Sequence, residues 1–171
     1  MNRFVRSILV VLLASMLVSC AGITSTPADP NKMIEPGDKI GDFLITTGKE
    51  GDVIYGWQLD KCVHQDDKKI NLCPTIVGTK VNVSVGIYDD TYSGKLDSLW
   101  SEHTYEMFIA GRLVNLQAFG YIDITHPVVG KMRYWNVVVT TTQIAEITVT
   151  AKGIVGGEPI EDSTTFSFTA P

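Results

Sequence analysis

The residues whose types could most readily bind a ligand lie in the stretch 88–97, where carboxylates and aromatic rings are mixed with turn-forming residues. Calcium takes several oxygen ligands, and Asp89, Asp90 and Asp97 could supply some of them. Tyr88 and Tyr92 could stack a sugar ring at the mouth of the same loop. The spacing does not match an EF-hand loop, and turns are ordinarily rich in Asp, Ser and Gly, so a plain surface turn is the favoured interpretation. For the alternative, a ligand-binding loop, the candidate residues are Tyr88, Asp89, Asp90 and Tyr92.

Signals for catalysis are weak. The three histidines, His64, His103 and His126, stand without a carboxylate and a nucleophile at a recognisable spacing. The chain contains no G-x-S-x-G, H-E-x-x-H or S-x-x-K motif and no phosphate-binding P-loop. A triad can assemble from residues distant in sequence, so an enzyme without a recognisable motif stays as an alternative. The sequence predicts a protein that is not an enzyme, with no catalytic residues, no metal site and no cofactor.

Cys62 and Cys73 enclose a polar, charged segment, CVHQDDKKINLC, that is followed by Pro74. Zinc sites prefer cysteines two to four residues apart and a fourth ligand, so a disulfide is favoured over a metal site built from both thiolates and His64. Such a disulfide restricts the unfolded chain and stabilises the fold by roughly 3 kcal/mol. We expect the enclosed segment to be a loop that projects from the sheet.

The N-terminal segment has the character of an export signal. Arg3 and Arg6 precede an apolar run at residues 8–18, which is shorter than the roughly 20 apolar residues that span a bilayer. The run ends in Leu-Val-Ser-Cys, with the cysteine at position 20, and this ending resembles the lipobox of bacterial lipoproteins. The resemblance implies cleavage before Cys20 and a diacylglycerol on its thiol, with acyl chains such as palmitate anchoring the protein. A cleaved secretion signal or a small N-terminal membrane helix is the alternative.

Lipid on Cys20 would account for the odd number of cysteines, because it leaves Cys62 and Cys73 as a pair in an oxidising compartment. The predicted organisation is a signal peptide at 1–19, the lipidated cysteine and a flexible tether at 20–33, and one β-sandwich domain at 34–171. The tether contains Pro27 and Pro30 and has no apolar period.

Apolar residues with a period of two recur along the domain and predict a succession of strands. Residues 100–116 predict a central hairpin that pivots at Ala110-Gly111, since glycine takes a positive φ at no steric cost. Residues 79–88 alternate most clearly and predict one continuous strand. Further strands are expected at 43–47, 53–59, 121–125, 132–142, 144–152 and 164–169. Residues 97–103 could form at most two helical turns.

Many short strands separated by turns predict an all-β, antiparallel sandwich. In the last third, ITVTAKG, a Gly-rich turn and TFSFT would form a final hairpin, which resembles the closing strands of bacterial immunoglobulin-like surface domains. The resemblance implies an immunoglobulin-like β-sandwich, although the Cys–Trp–Cys pattern of antibody domains is absent. Trp57, Trp100 and Trp135 are expected in its core.

The net charge of the chain limits the classes of partner that it could bind. The formal net charge is −5 and becomes −7 when Arg3 and Arg6 leave with the signal segment, which argues against nucleic acid as a partner.

Taken together, the N-terminal segment and the strand pattern predict a lipoprotein of the cell envelope, anchored on the extracytoplasmic side of a membrane. Its expected role is a non-catalytic binding or protein-interaction module that contacts another envelope protein or an extracellular ligand. The alternative is a carbohydrate- or calcium-dependent ligand-binding domain.

Overall fold

The structure, a computed structural model, describes residues 32–49, 54–55, 62–66, 70–83, 86–89, 95–126, 130–155 and 157–171. These residues form fourteen strands and two short helices, which confirms the predicted all-β class. The strands are β1 Lys39–Ile40, β2 Phe43–Thr46, β3 Ile54–Tyr55, β4 Val63–Gln65, β5 Ile70–Ile76, β6 Val81–Asn82, β7 Gly86–Asp89, β8 Thr104–Ile109, β9 Arg112–Leu113, β10 Tyr121–His126, β11 Gly130–Trp135, β12 Val138–Thr140, β13 Ala145–Val155 and β14 Glu158–Thr169. The helices are α1 Leu96–Ser101 and α2 Leu116–Phe119.

Two sheets face each other across one hydrophobic core in a sandwich-like arrangement. One sheet has the order β1-β2-β12-β6-β3 and the other has the order β4-β5-β14-β13-β8-β9. Phe43 of the first sheet meets Phe168 of the second in an edge-to-face contact with ring centroids 5.5 Å apart. The fully buried side chains come from both sheets and include Ile45, Met107 and Ile109. Burial of these apolar groups is the main stabilising term of the fold.

A third sheet, with the order β10-β11-β7, continues from the five-stranded sheet. The chain passes between the five-stranded and the three-stranded sheet twice, from β6 to β7 and from β11 to β12, and these two passages form a corner. There the N–H of Val83 donates to the carbonyl of Val137 (3.0 Å). The buried Asn136 also sits there, where its amide nitrogen donates to the carbonyl of Gly48 (2.7 Å) and its oxygen accepts from the N–H of Gly48 (3.2 Å). These bonds satisfy backbone groups at the bend.

Two predicted strands were wrong, because the chain bends at this corner and divides each of them. Residues 79–88 were expected to form one strand, but β6 and β7 belong to different sheets, and the expected strand at 132–142 is likewise divided into β11 and β12. Val81, Val83 and Ile87 are all buried as expected, but Asn82, which the alternation places on the solvent side, is buried as well. Val85 lies outside the described residues.

Both predicted hairpins are present. β8 and β9 are joined by Ala110 (φ 49°) and Gly111 (φ 77°), and a two-residue turn with positive φ at both positions is type I′. β13 and β14 form the closing hairpin in antiparallel register from Ala145 opposite Phe168 to Val155 opposite Glu158. This hairpin is longer than expected, because the regular pairing runs on through residues 153–155 and 158–163, a stretch that leaves Ile154 and Ile160 exposed.

Strand pairing is not purely antiparallel, since β5 pairs with β14, and β3 with β6, in parallel. The segment between the cysteines also differs from the projecting loop that was expected. Its residues 63–65 and 70–73 form the antiparallel β4–β5 hairpin, and β5 lies inside the six-stranded sheet beside β14. The disulfide between Cys62 and Cys73 is confirmed, and Cys73 lies in the core. The polarity of the segment gave little signal for a strand, because much of it lies on the solvent side.

At the start of the described chain, Ile34 is fully buried and exchanges hydrogen bonds with the β9 end, donating to Leu113 (2.8 Å) and accepting from Asn115 (3.0 Å). Residues 1–31, and with them the predicted signal and Cys20, lie outside the described residues. In the part of the chain that is described, no helix has both the length and the hydropathy required to cross a membrane.

Candidate functional site

The predicted ligand loop is only partly described. Tyr88 and Asp89 end strand β7, where they stand opposite Met132 and Lys131 of β11, while Asp90 and Tyr92 lie outside the described residues. Asp89 is buried, so it does not present its carboxylate at an open loop mouth. Within the described ranges, no group of three or more His, Cys, Asp or Glu side chains is placed to hold a metal ion.

Asp97, at the end of that stretch, instead belongs to a cluster around Arg133. The guanidinium of Arg133 donates from Nε and Nη2 to both carboxylate oxygens of Asp123 (2.6 and 2.7 Å) and from Nη1 to Oδ1 of Asp97 (2.6 Å). Paired, parallel N–H···O bonds of this kind are the strongest that an arginine makes. The Arg133 side chain is 9% exposed, against 47% for Asp123 and 88% for Asp97. A buried cation thus holds two carboxylates at the surface.

Strand register explains how the cluster assembles. In the β10–β11 pair, Asp123 stands directly opposite Arg133 and Tyr121 directly opposite Trp135. Residues two apart on a strand share a face, and opposite residues on neighbouring strands are in contact distance. These four side chains therefore lie on one face of the three-stranded sheet. Asp97 reaches them from α1, which packs against this sheet and buries Leu96.

Aromatic rings surround the guanidinium, and we call this set (Trp100, Tyr121, Arg133, Asp97 and Asp123) the arginine cluster. Cζ of Arg133 lies 4.3 Å from the ring centroid of Tyr121 and 5.8 Å from that of Trp100. The Trp100 ring is 5.6 Å from that of Tyr121 and tilted by 52°. Such cation–π contacts add about 0.5–2 kcal/mol each, depending on how far water is excluded. Tyr121 nevertheless remains 50% exposed, so the cluster opens to solvent at this ring.

The floor of the cluster is apolar. The Trp135 ring lies 5.0 Å from that of Trp100, and Trp135 is part of the hydrophobic core. The predicted core position is therefore confirmed for Trp135, whereas Trp100 is only half-buried and links the core to the surface. Trp57 lies outside the described residues.

Tyr105 of β8 fixes the side of the cluster that faces the six-stranded sheet. Its hydroxyl donates to the carbonyl of Gly86 (3.2 Å), and its ring lies 6.1 Å from that of Trp100. Burial raises the pKa of Tyr105 to about 12, because the ionised phenol would lose hydration. Gly86 must be glycine, since a Cβ there would come within 2.2 Å of the carbonyl oxygen of Arg133.

Two histidines have structural surroundings. Nδ1 of His103 contacts the carbonyl of Leu99, and its ring is stacked 6.2 Å from that of Tyr105. His64, on the disulfide-linked hairpin, contacts the side chains of Asn71 and Asp66. His126 ends β10. None of these contacts joins a histidine to a serine or cysteine nucleophile.

The guanidinium of Arg133 is suited to holding carboxylates and not to proton transfer. The hydrogen bonds to Asp123, together with the bond to Asp97 and the negative charge, raise the pKa of Arg133 further above its already high ordinary value. Arginine therefore cannot act as an acid here. What the arrangement offers is a rigid aromatic surface with carboxylate oxygens beside it.

The spacing of four residues in the sequence is a signal for this site. Tyr121 and Asp123 are two residues apart, as are Arg133 and Trp135, and both pairs lie on predicted strands joined by a short connection. An antiparallel pairing of those strands would have suggested the Asp123–Arg133 contact. The contribution of Asp97 and Trp100 depends on where α1 packs, which strand periodicity does not specify.

No protein-family model, curated protein or solved structure matches this chain.

Proposed function

We propose that this protein is a lipid-anchored module of the cell envelope that binds a partner without catalysing a reaction, and that the arginine cluster is its contact surface. The observation that carries this proposal is the half-exposed Tyr121 ring, held in place by a buried and ion-paired Arg133. Aromatic residues and arginine are enriched where proteins bind ligands and partners, since they provide a large contact area at a low entropic cost.

The envelope location is supported by the N-terminal sequence and by the disulfide. The lipobox-like ending at Cys20 implies a diacylglyceryl anchor on the extracytoplasmic side of a membrane. The bond between Cys62 and Cys73 agrees with an oxidising compartment. The partner would then be another envelope protein or an extracellular ligand.

The body that carries the contact surface is, in this proposal, an immunoglobulin-like β-sandwich. Two sheets packed across one core and a long closing hairpin support that assignment. The parallel β5–β14 pair places an additional strand beside the closing hairpin. The fold assignment carries no information about the ligand.

A non-catalytic role is favoured because the charged groups of the site are committed to one another. The carboxylates of Asp97 and Asp123 both accept hydrogen bonds from a guanidinium that keeps its protons. A general base needs a carboxylate or imidazole that can exchange a proton with substrate. Calcium is disfavoured by the same contacts, because Arg133 already provides the positive charge that a metal ion would bring to the carboxylate of Asp97.

Anchoring is tested by expressing the full chain with its own signal in a bacterial host and measuring the mass of its N-terminal peptide. We expect a diacylglycerol at Cys20 and recovery of the protein in the membrane fraction. Cys20→Ser is expected to abolish the modification and, because cleavage follows lipidation in such proteins, to leave residues 1–19 on the chain. An unmodified Cys20 in the exported wild-type protein would contradict the proposed anchor.

The contact surface is tested by placing a photo-crosslinking amino acid at Tyr121 in intact cells. The control position is Ile144, which is 72% exposed and precedes the first residue of β13, whereas Tyr105 beside the cluster pairs with Gly153 near the other end of that strand. We expect a discrete adduct at position 121 that is absent at 144. Equal labelling at both positions, or none at 121, would count against the cluster as a contact surface.

A further inference from the structure

We propose that the arginine cluster binds a neutral oligosaccharide, with a sugar face packed against the part of the Tyr121 ring that Arg133 leaves exposed and the carboxylates of Asp97 and Asp123 accepting hydrogen bonds from its hydroxyl groups. This inference rests on the proposed function, because it names the class of ligand for the same surface. A pyranose ring has an apolar face of C–H groups and an equatorial rim of hydroxyls. An aromatic ring beside fixed acceptors matches both.

The charges of the cluster exclude ionic ligands. A cationic group would find the position between the Tyr121 ring and the carboxylates already occupied by the guanidinium of Arg133, 4.3 Å from the ring centroid. An anionic ligand would meet the two exposed carboxylates first, on a chain whose formal net charge is −5. Like charges at contact distance are unfavourable in either case. A neutral, hydroxyl-rich ligand avoids both penalties.

The carboxylates keep acceptor capacity for such a ligand. Asp97 is engaged by Arg133 through Oδ1 alone, and its side chain is largely exposed. A carboxylate has about four lone-pair positions, so Asp97 can accept further bonds from hydroxyl groups while its bond to Arg133 persists. Asp123 uses one position on each oxygen for Arg133, and it too remains partly exposed.

The cluster is organised before any ligand arrives. The guanidinium plane fixes the orientation of the Asp123 carboxylate through two bonds, and the buried Trp135 supports Trp100 from below. Groups that are already ordered lose little conformational entropy on binding. The tilt of 52° between Trp100 and Tyr121 gives an angled aromatic wall and not a flat one.

The test uses the full chain, purified from membranes in an amine-oxide detergent so that no sugar headgroup competes. Calorimetric titrations are carried out with neutral hexasaccharides of glucose, mannose and N-acetylglucosamine in separate experiments. We expect saturable binding of at least one of them. Tyr121→Ala and Asp97→Ala are each expected to weaken it at least tenfold, while Tyr121→Phe retains most of it because the ring is kept.

Thr125→Ala is the matched control, since Thr125 is an exposed residue on the same strand and face as Tyr121. It is expected to bind as the wild type does. Circular dichroism and the intact disulfide establish that each variant is folded. Absence of binding by all the hexasaccharides at millimolar concentration, or equal affinity of wild type and Tyr121→Ala, would overturn the carbohydrate proposal.

The intact-cell crosslink separates this proposal from the proposed function. A protein adduct at position 121, together with no oligosaccharide binding, overturns the carbohydrate ligand and leaves the binding module supported. Loss of both signals overturns both.

Discussion

At the scale of single residues, the two carboxylates that hold Arg133 are not equivalent. Asp123 makes two hydrogen bonds to the guanidinium and lies opposite it on the neighbouring strand, whereas Asp97 makes one bond and is far more exposed. Removing one partner of a buried charge leaves that charge without compensation, which costs about 3–5 kcal/mol. Removing an exposed partner costs much less.

Asp123→Ala is therefore expected to lower the free energy of unfolding by about 3 kcal/mol, because the buried Arg133 would lose both hydrogen bonds to its strand partner and keep a single one, to the exposed Asp97. Asp97→Ala is expected to lower it by about 0.5 kcal/mol. Urea unfolding followed by tryptophan fluorescence measures both. Equal losses would mean that the burial of Arg133 does not depend on its strand partner.

Tyr105 makes a distinct prediction about pH. Its pKa is raised from the ordinary value of 10.0 to about 12 in the folded protein, so between these values the unfolded chain loses the proton while the folded chain keeps it. The free energy of unfolding contributed by Tyr105 is fully present below pH 10 and is lost as pH rises toward 12. Tyr105→Phe should remove this part of the alkaline slope.

The measurement is the urea midpoint of wild type and Tyr105→Phe across that pH range, using short incubations that preserve the disulfide. At neutral pH the variant should be less stable by about 1 kcal/mol at most, for loss of the hydrogen bond to Gly86. Parallel slopes for the two proteins would show that the phenol ionises equally in both states.

At the scale of elements, two hairpins were predictable from the sequence, whereas the bends and the β4–β5 hairpin were not. The Ala110-Gly111 turn and the β13–β14 hairpin are local in sequence, so alternation and a glycine were enough to locate them. The corner at Val83 and Val137 joins segments more than fifty residues apart. Strand periodicity is the same on both sides of that corner, so it could not reveal that one predicted strand serves two sheets.

Alanine is not the best residue for the first position of the Ala110-Gly111 turn. Ala110 has φ 49°, and the left-handed region is costly for residues with a Cβ, whereas asparagine tolerates it. Ala110→Asn creates the Asn-Gly pair preferred in type I′ turns and should raise the free energy of unfolding by about 0.5–1 kcal/mol. The same change at Ala118, an exposed residue of α2, should lower it by about 0.5 kcal/mol, because asparagine is a poorer helix former. Urea midpoints give both values, and destabilisation by Ala110→Asn would contradict the turn assignment.

At the scale of the whole molecule, the sequence predicted the class and the disulfide but not the order of strands. Cysteine count and alternation are properties of the chain alone, whereas the parallel β5–β14 pair depends on which side of the closing hairpin is free. The polar composition of residues 62–73 concealed a strand whose Cys73 enters the core. The candidate site was likewise hidden, because its members converge from α1, β10 and β11.

The disulfide bears on two properties: the stability of β4 at the edge of the six-stranded sheet, and the proposed location of the protein. β4 is a three-residue strand at the end of the six-stranded sheet, paired only with β5 among the described strands, so few contacts other than the bond hold it. Closing a loop with a sequence separation of 11 residues is worth about 3 kcal/mol in the chain-entropy description. Reduction of the purified protein should lower the free energy of unfolding by about that amount while every side chain stays in place.

Reduction is a cleaner measurement than substitution, because Cys73→Ala would also leave a cavity in the core. Urea midpoints of the oxidised and reduced forms give the difference, and alkylated thiols counted by mass give the redox state. The exported chain should contain the bond, and a chain without residues 1–19 made in the cytoplasm should contain free thiols. Equal stability of the two forms would show that β4 is held by its ladder alone, whereas free thiols in the exported chain would separate this fold from the oxidising compartment inferred for it.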